Sequence, residues 1–149
     1  MTDIDTYASV GYALALLAQS EYHKAFEMAD YFEIEILPPL WNGQARFYLT
    51  EAGVPTAMAT WAWLSESVMQ DIIETGRALE EDEWNCGEQL FFNDWVTPYN
   101  NIRDVVRDMT QNIFPNEEAV SLRRHPDGTV RSVKRWTGKN LRAKMEGAA

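Results

Sequence analysis

Apolar side chains recur every third or fourth position from Ile4 through Tyr7, Ala8, Gly11, Leu14 and Ala15 to Ala18, which predicts a helix over residues 4–19. The run Ser20-Glu-Tyr-His23 breaks that spacing. Residues 31–37 alternate aromatic or aliphatic side chains with Glu33 and Glu35 and predict a strand. Pro38-Pro39 stops it, since neither proline can donate to a ladder. Residues 45–50 and 56–64 predict two further strands around the turn Glu51-Ala-Gly-Val-Pro55, with Trp61 and Trp63 on one face. Ser65 fits the N-cap of a helix over 66–76, and Gly76 its end. An acidic loop follows over 77–87, then an apolar-aromatic strand over 89–96 that Thr97-Pro98 ends. Ile102, Val105, Val106, Met109 and Ile113 make the buried stripe of a helix over 101–112. Residues 119–125 and 129–136 predict a hairpin about Pro126-Asp127-Gly128. The last dozen residues, 138–149, read as a weakly ordered tail of one domain over 1–149, with no internal repeat and no linker.

Meander strands beside helix-connected ones predict an α/β (α+β) fold, a mixed sheet flanked by helices. The order of elements resembles the GNAT-like acyltransferase architecture, which by itself assigns no function. Composition agrees with a packed domain: the 149 residues are 46% hydrophobic and 12% aromatic, enough to exclude a disordered or low-complexity chain. The single cysteine, Cys86, excludes an intramolecular disulfide, and no Cys/His cluster exists to hold a metal. No stretch approaches the length of an apolar membrane span. The start, Met-Thr-Asp-Ile-Asp, has no basic segment of the signal-peptide kind, so the expected location is the cytoplasm.

Charge is divided along the chain. Residues 121–149 carry eight basic residues, Arg123 and Arg124 among them, against two acidic ones, while residues 1–120 carry five basic against twenty-one acidic. The basic segment either balances the acidic body internally or docks an acidic partner. With a net charge of −10, nucleic acid is the poorer fit.

Candidate chemistry is sparse. His125 abuts a turn and reads as a surface residue. His23 is either a packing residue or a proton shuttle suited to neutral pH. Asp94 sits in Leu90-Phe-Phe-Asn-Asp-Trp-Val96, where a buried carboxylate costs several kcal/mol unless it is paired. It is either a strand-end residue reaching solvent or the carboxylate that orients and charges a histidine. Asn93 would point to the opposite face. Trp61 and Trp63, with Trp41 and Trp95, put aromatic area in the middle of the sheet, as core or as the wall of a channel for a long acyl chain. Cys86 has no base beside it and an acidic loop around it, a poor setting for a nucleophile. No P-loop, GxSxG or HExxH motif occurs, nor the Gln/Arg-x-x-Gly-x-Gly/Ala turn that holds the CoA pyrophosphate in ordinary GNAT enzymes.

Together these residues resemble the RTX toxin-activating lysine acyltransferases. The match runs through Ser20-x-x-His23, Phe32-x-Ile34-x-Ile36-Leu37-Pro38, Val54-Pro55-x-Ala57 with Trp61-Ala-x-Leu-Ser65, Asp82-Glu83-Trp84-x-x-Gly87, Phe92-x-Asp94-Trp95-x-x-Pro98-Tyr99 and Phe114-Pro115. It covers roughly residues 10–136. Two departures stand out: Glu35 occupies a position where the family commonly has asparagine, and the C-terminus is shorter than usual.

The resemblance implies a GNAT-like fold, often dimeric, without a bound cofactor, that takes a fatty acyl group from acyl-acyl carrier protein. The group goes to the ε-amino group of an internal lysine in an RTX protoxin. By position it implies His23 and Asp94 as the essential pair and Ser20 as a supporting residue. Trp61, Trp63 and Trp95 are the expected acyl-chain wall, and Arg123 and Arg124 the expected contacts to the donor. The competing readings are a CoA-dependent GNAT enzyme acting on a small amine, a non-catalytic relative that only binds carrier protein, and a small structural dimer.

Overall fold

The structure is a computed structural model and describes residues 5–147. Five strands lie in sequential order: β1 (Ala45–Leu49), β2 (Pro55–Leu64), β3 (Gln89–Val96), β4 (Glu118–Arg124) and β5 (Val130–Thr137). Neighbours are antiparallel except β3 and β4. A parallel pair needs a long crossover. Helix α5 (Ile102–Asp108) and a π-helical turn, Met109–Ile113, supply it. The mixed sheet flanked by helices is the α+β, GNAT-like arrangement expected from the element order.

Local chemistry sets the other boundaries. Helix α1 (Thr6–Gln19) starts where the Asp5 carboxylate accepts from the Tyr7 and Ala8 N–H groups. Helix α4 (Glu66–Thr75) begins at the Ser65 hydroxyl and ends at Gly76 with φ 71°, a left-handed cap suited to glycine. No helix of the described residues is long and apolar enough to cross a membrane.

Three expectations are corrected. Residues 31–37 are helical. The chain runs through α2 (Met28–Tyr31), a π-helical turn over Phe32–Ile36 and α3 (Leu37–Trp41). The alternation of glutamates was fortuitous. Met28, Phe32, Ile36 and Leu40, each four residues after the last, pack toward α1 with Tyr31, three after Met28, and that spacing is helical. The prolines do not stop a strand but open α3, and in the wide turn the Leu37 N–H reaches back five residues to the Phe32 carbonyl. Of the expected tail, Lys139–Gly147 form helix α6, and residues 148 and 149 lie outside the described residues. Its first turn is tied to the loop before β4 by Gly138 N–H to Glu117 O, Asn140 N–H to Pro115 O and Asn140 Nδ2–H to Asn116 Oδ1. Trp41, finally, stands in α3 and is 55% exposed, outside the sheet.

The two sheet faces are packed differently. On one, Ala57, Ala59, Trp61, Leu90, Phe92 and Ala119 meet Val105 and Met109 of the crossover. On the other, Met58 and Val96 meet Ala13, Leu16 and Leu17 of α1, and Ala62, Leu64 and Phe91 meet α4 and Trp84. The α1 packing fixes where the chain after Gln19 arrives over the sheet.

A polar clamp joins β1 to α5. Arg46 Nε–H and Tyr48 O–H donate to Asp108 Oδ2 at 2.8 and 2.6 Å, and Asn112 Nδ2–H to Oδ1 at 2.9 Å. Burial works against the Asp108 carboxylate, but the Asn112 and Tyr48 hydrogen bonds and the Arg46 charge outweigh it and hold its pKa below the ordinary value. Burial and the bond to Asp108 push the Tyr48 phenol far up. The unfolded carboxyl titrates near ~3.9, so the clamp stabilises fully above that and fades as pH falls through the lower folded value. Asp108→Asn is expected to lose about 1–3 kcal/mol at pH 7 and to flatten the fall in stability below about pH 4. Urea midpoints measured across that range check both effects.

Candidate active site

His23 opens a single 3₁₀ turn, His23–Ala25, just past the end of α1. Ser20 caps that helix in an extended conformation, and its hydroxyl stays beside the turn it starts. The histidine is 2% exposed and Ser20 7%. The rings of Tyr22, Phe26 and Tyr31 stand around the imidazole with centroids 5.0, 5.8 and 5.6 Å away.

His23 Nε2 lies 2.9 Å from Asp94 Oδ2, and Nδ1 lies 2.5 Å from Ser20 Oγ. Tyr31 O–H donates to the same Asp94 oxygen. An ionised Asp94 can only accept, so Nε2 carries its proton toward the carboxylate. Nδ1 is then the free base, and the Ser20 hydroxyl donates to it. The three side chains form a Ser–His–Asp line across 74 residues of sequence. Partial burial pushes the Tyr22 phenol up, the Asp94 charge adds to this, the Arg124 guanidinium opposes it and Glu35 adds again.

A bulge in β3 aims the aspartate. Thr60 pairs with Asp94 while Trp61 pairs with Phe92, so Asn93 is an extra residue on β3. Strict alternation from Phe92 would turn Asp94 toward α5. The extra residue instead leaves it opposite Thr60, on the face that Met58 and Val96 present to α1. Asn93 shares that face, contrary to expectation: its Nδ2–H donates to Glu35 Oε2 at 2.7 Å in the π-helical turn. Thr60, also 1% exposed, has a hydroxyl with no partner among the described residues.

The ladder between β3 and β4 is short. Only Leu90 with Ala119 and Phe91 with Val120 pair, although both strands continue, to Val96 and Arg124. Past that point two inner strands face each other with main-chain groups outside the ladder, an opening beside Asp94.

The remaining expected residues lie outside the hydrogen-bonded line of Ser20, His23 and Asp94. Trp61 and Trp63 lie on the α5 face and pack edge-on against Phe114. Trp95 is on that face too, between Phe92 at 4.9 Å and Trp136 at 6.2 Å, so it is near Asp94 in sequence but across the sheet from His23. Arg124 Nε–H donates to the Gly76 carbonyl at 2.8 Å. Arg123 is exposed at the end of β4. Cys86 and His125 are exposed. Sequence reasoning missed Tyr31, Thr60 and the Asn93–Glu35 pair. The helical spacing of Met28, Tyr31 and Phe32 was the signal that could have placed Tyr31.

The profile of the RTX toxin acyltransferase family matches residues 2–137. This chain belongs to the RTX toxin acyltransferase family. It is 27% identical over 105 residues to the lysine-acyltransferase RtxC of Vibrio cholerae, covering 70% of this chain and 68% of that protein. It is 26% identical over 142 residues to the RTX-I toxin-activating lysine-acyltransferase ApxIC of Actinobacillus pleuropneumoniae, covering 95% and 81%. An uncharacterised protein of Synechocystis sp. is 32% identical over 94 residues, covering 62% and 64%. Within this family frame, Ser20, His23 and Asp94 are the polar side chains that the fold brings into one hydrogen-bonded line.

Proposed function

We propose that the chain moves a fatty acyl group from the thioester of acyl-acyl carrier protein to the ε-amino group of an internal lysine in an RTX protoxin. The observation that carries this reading is the Ser20–His23–Asp94 line at the opening between β3 and β4, in a chain of this family.

The chemistry needs a base. A lysine with a pKa near ~10.4 is only about 0.04% neutral at pH 7. The acceptor nitrogen attacks the thioester carbonyl carbon and gives up a proton. That proton passes through the Ser20 hydroxyl to His23 Nδ1, while Asp94 stabilises the imidazolium. The tetrahedral intermediate then collapses: the C–S bond breaks, the imidazolium proton goes to the thiolate, and the products are an amide and a free pantetheine thiol. A main-chain N–H freed by the Asn93 bulge is the candidate donor to the developing oxyanion. The unpaired edges of β3 and β4 suit an extended arm carrying amide groups. Trp95, on the α5 side of that opening, is the residue we assign to the acyl chain.

The test is a donor comparison. The purified protein is incubated with a lysine-bearing protoxin fragment and either palmitoyl-carrier protein or palmitoyl-CoA. The expected result is a fragment heavier by one palmitoyl group with the carrier-protein donor and a much slower gain with CoA. Faster transfer from CoA would overturn the donor, and no transfer from either would overturn the reading.

A further inference from the structure

A basic groove with a cavity of about 560 Å³ lies between β5, α5 and α6. Lys134, Arg135, Lys139 and Arg142 line it, with Glu146 as the lining carboxylate and Trp136 against it. All four cations are exposed. Among the described residues none of them has a carboxylate within salt-bridge distance. Lys134 Nζ instead sits over the Trp136 ring, 4.2 Å from its centroid. Elsewhere Arg77 holds Asp71 and Glu83, and Arg46 holds Asp108, while Arg103, Arg123, Arg124 and Arg131 are also without an ion pair among the described residues but do not line this groove. Four unpaired positive charges therefore converge on one concave surface of a protein whose net charge is −10.

The groove is joined to the site. The Trp136 indole packs edge-on against Trp95, which follows Asp94 in β3. An occupant of the groove would thus sit at the α5 side of the opening whose other side holds His23. A long polyanion would also run over the acidic body, whereas a small folded acidic protein can meet the groove alone.

We propose that this groove docks the acidic acyl carrier protein, so that its thioester arm enters between β3 and β4 past Trp95. This rests on the function proposed above and names the surface that reads the donor. Helix α6, which the sequence pattern did not predict, supplies two of the four cations, Lys139 and Arg142.

The test separates docking from chemistry. Binding of apo-carrier protein, which has no arm, is measured by fluorescence anisotropy for the wild type, Lys139→Glu/Arg142→Glu, and Arg131→Glu as a charge control outside the groove. The wild type is expected to bind, more weakly at about 300 mM than at about 50 mM salt. The double variant is expected to bind about tenfold or more weakly, and the control by much less. In transfer assays the double variant should show a raised KM for palmitoyl-carrier protein and unchanged transfer from palmitoyl-pantetheine, a donor without the protein. A milder variant, Lys139→Gln/Arg142→Gln, should shift both readouts the same way to a smaller extent, which guards against misfolding.

Equal binding by wild type and double variant would overturn the proposal. So would equal loss with both donors, or a groove that binds an RNA oligonucleotide or a second copy of the chain in place of carrier protein. A wild type that binds carrier protein through the groove but transfers nothing would leave the docking surface standing and remove the proposed reaction.

Discussion

Replacing His23 with alanine is expected to lower acyl transfer by at least about 10³-fold while the far-ultraviolet circular dichroism spectrum stays that of the wild type. The ring is the one group that touches both Ser20 and Asp94, so its loss removes the base and breaks the line at its centre. The fold should survive. His23 lies in a short turn over the sheet, and the cores around α1, α4 and α5 do not depend on it. Asp94 also keeps the Tyr31 hydroxyl as a partner. The alanine leaves an imidazole-sized gap between Tyr22, Phe26 and Tyr31. Added imidazole should therefore restore part of the activity, a rescue that a purely structural role would not show. The mass of the protoxin fragment with time, with and without imidazole, reads both effects.

Asp94→Asn is expected to cost about 10²–10⁴ in kcat with little change in KM for the donor. The amide keeps the shape and can still accept from Nε2 and from Tyr31. It cannot stabilise the imidazolium that forms as the lysine gives up its proton. The loss therefore appears in the reaction step rather than in binding. Steady-state transfer at several donor concentrations measures it. A large rise in KM with kcat intact would place Asp94 in donor binding instead.

Much of the fold was legible because its signals are local. Ser65 and Gly76 bracket α4, and Pro126-Asp127-Gly128 turns the hairpin. The apolar run of β3 has the bounds the sequence suggests. The segment over residues 31–37 reads as a strand because seven residues cannot separate a period of two from a wide helical turn. The arbiters, Met28 and Leu40, lie outside that window. Helix α6 carries only Leu141 and Met145 as large apolar residues and buries neither, and hydrogen bonds to the loop before β4 hold its start. The candidate site was legible only through family likeness. Spacing alone could not bring His23 to Asp94, because two long-range facts decide it. The α1 packing delivers His23 over the sheet, and the Asn93 bulge puts Asp94 on that face. An extra residue in a strand leaves no mark in a short apolar-aromatic run.

The most direct test of the account is a double-substitution comparison: single-turnover transfer from palmitoyl-carrier protein by the wild type, His23→Ala, Asp94→Asn and the two combined. If the carboxylate acts through the imidazole, the combined variant transfers no more slowly than His23→Ala alone. A further drop in the combined variant, by the factor that Asp94→Asn costs by itself, would contradict the pair as one functional unit.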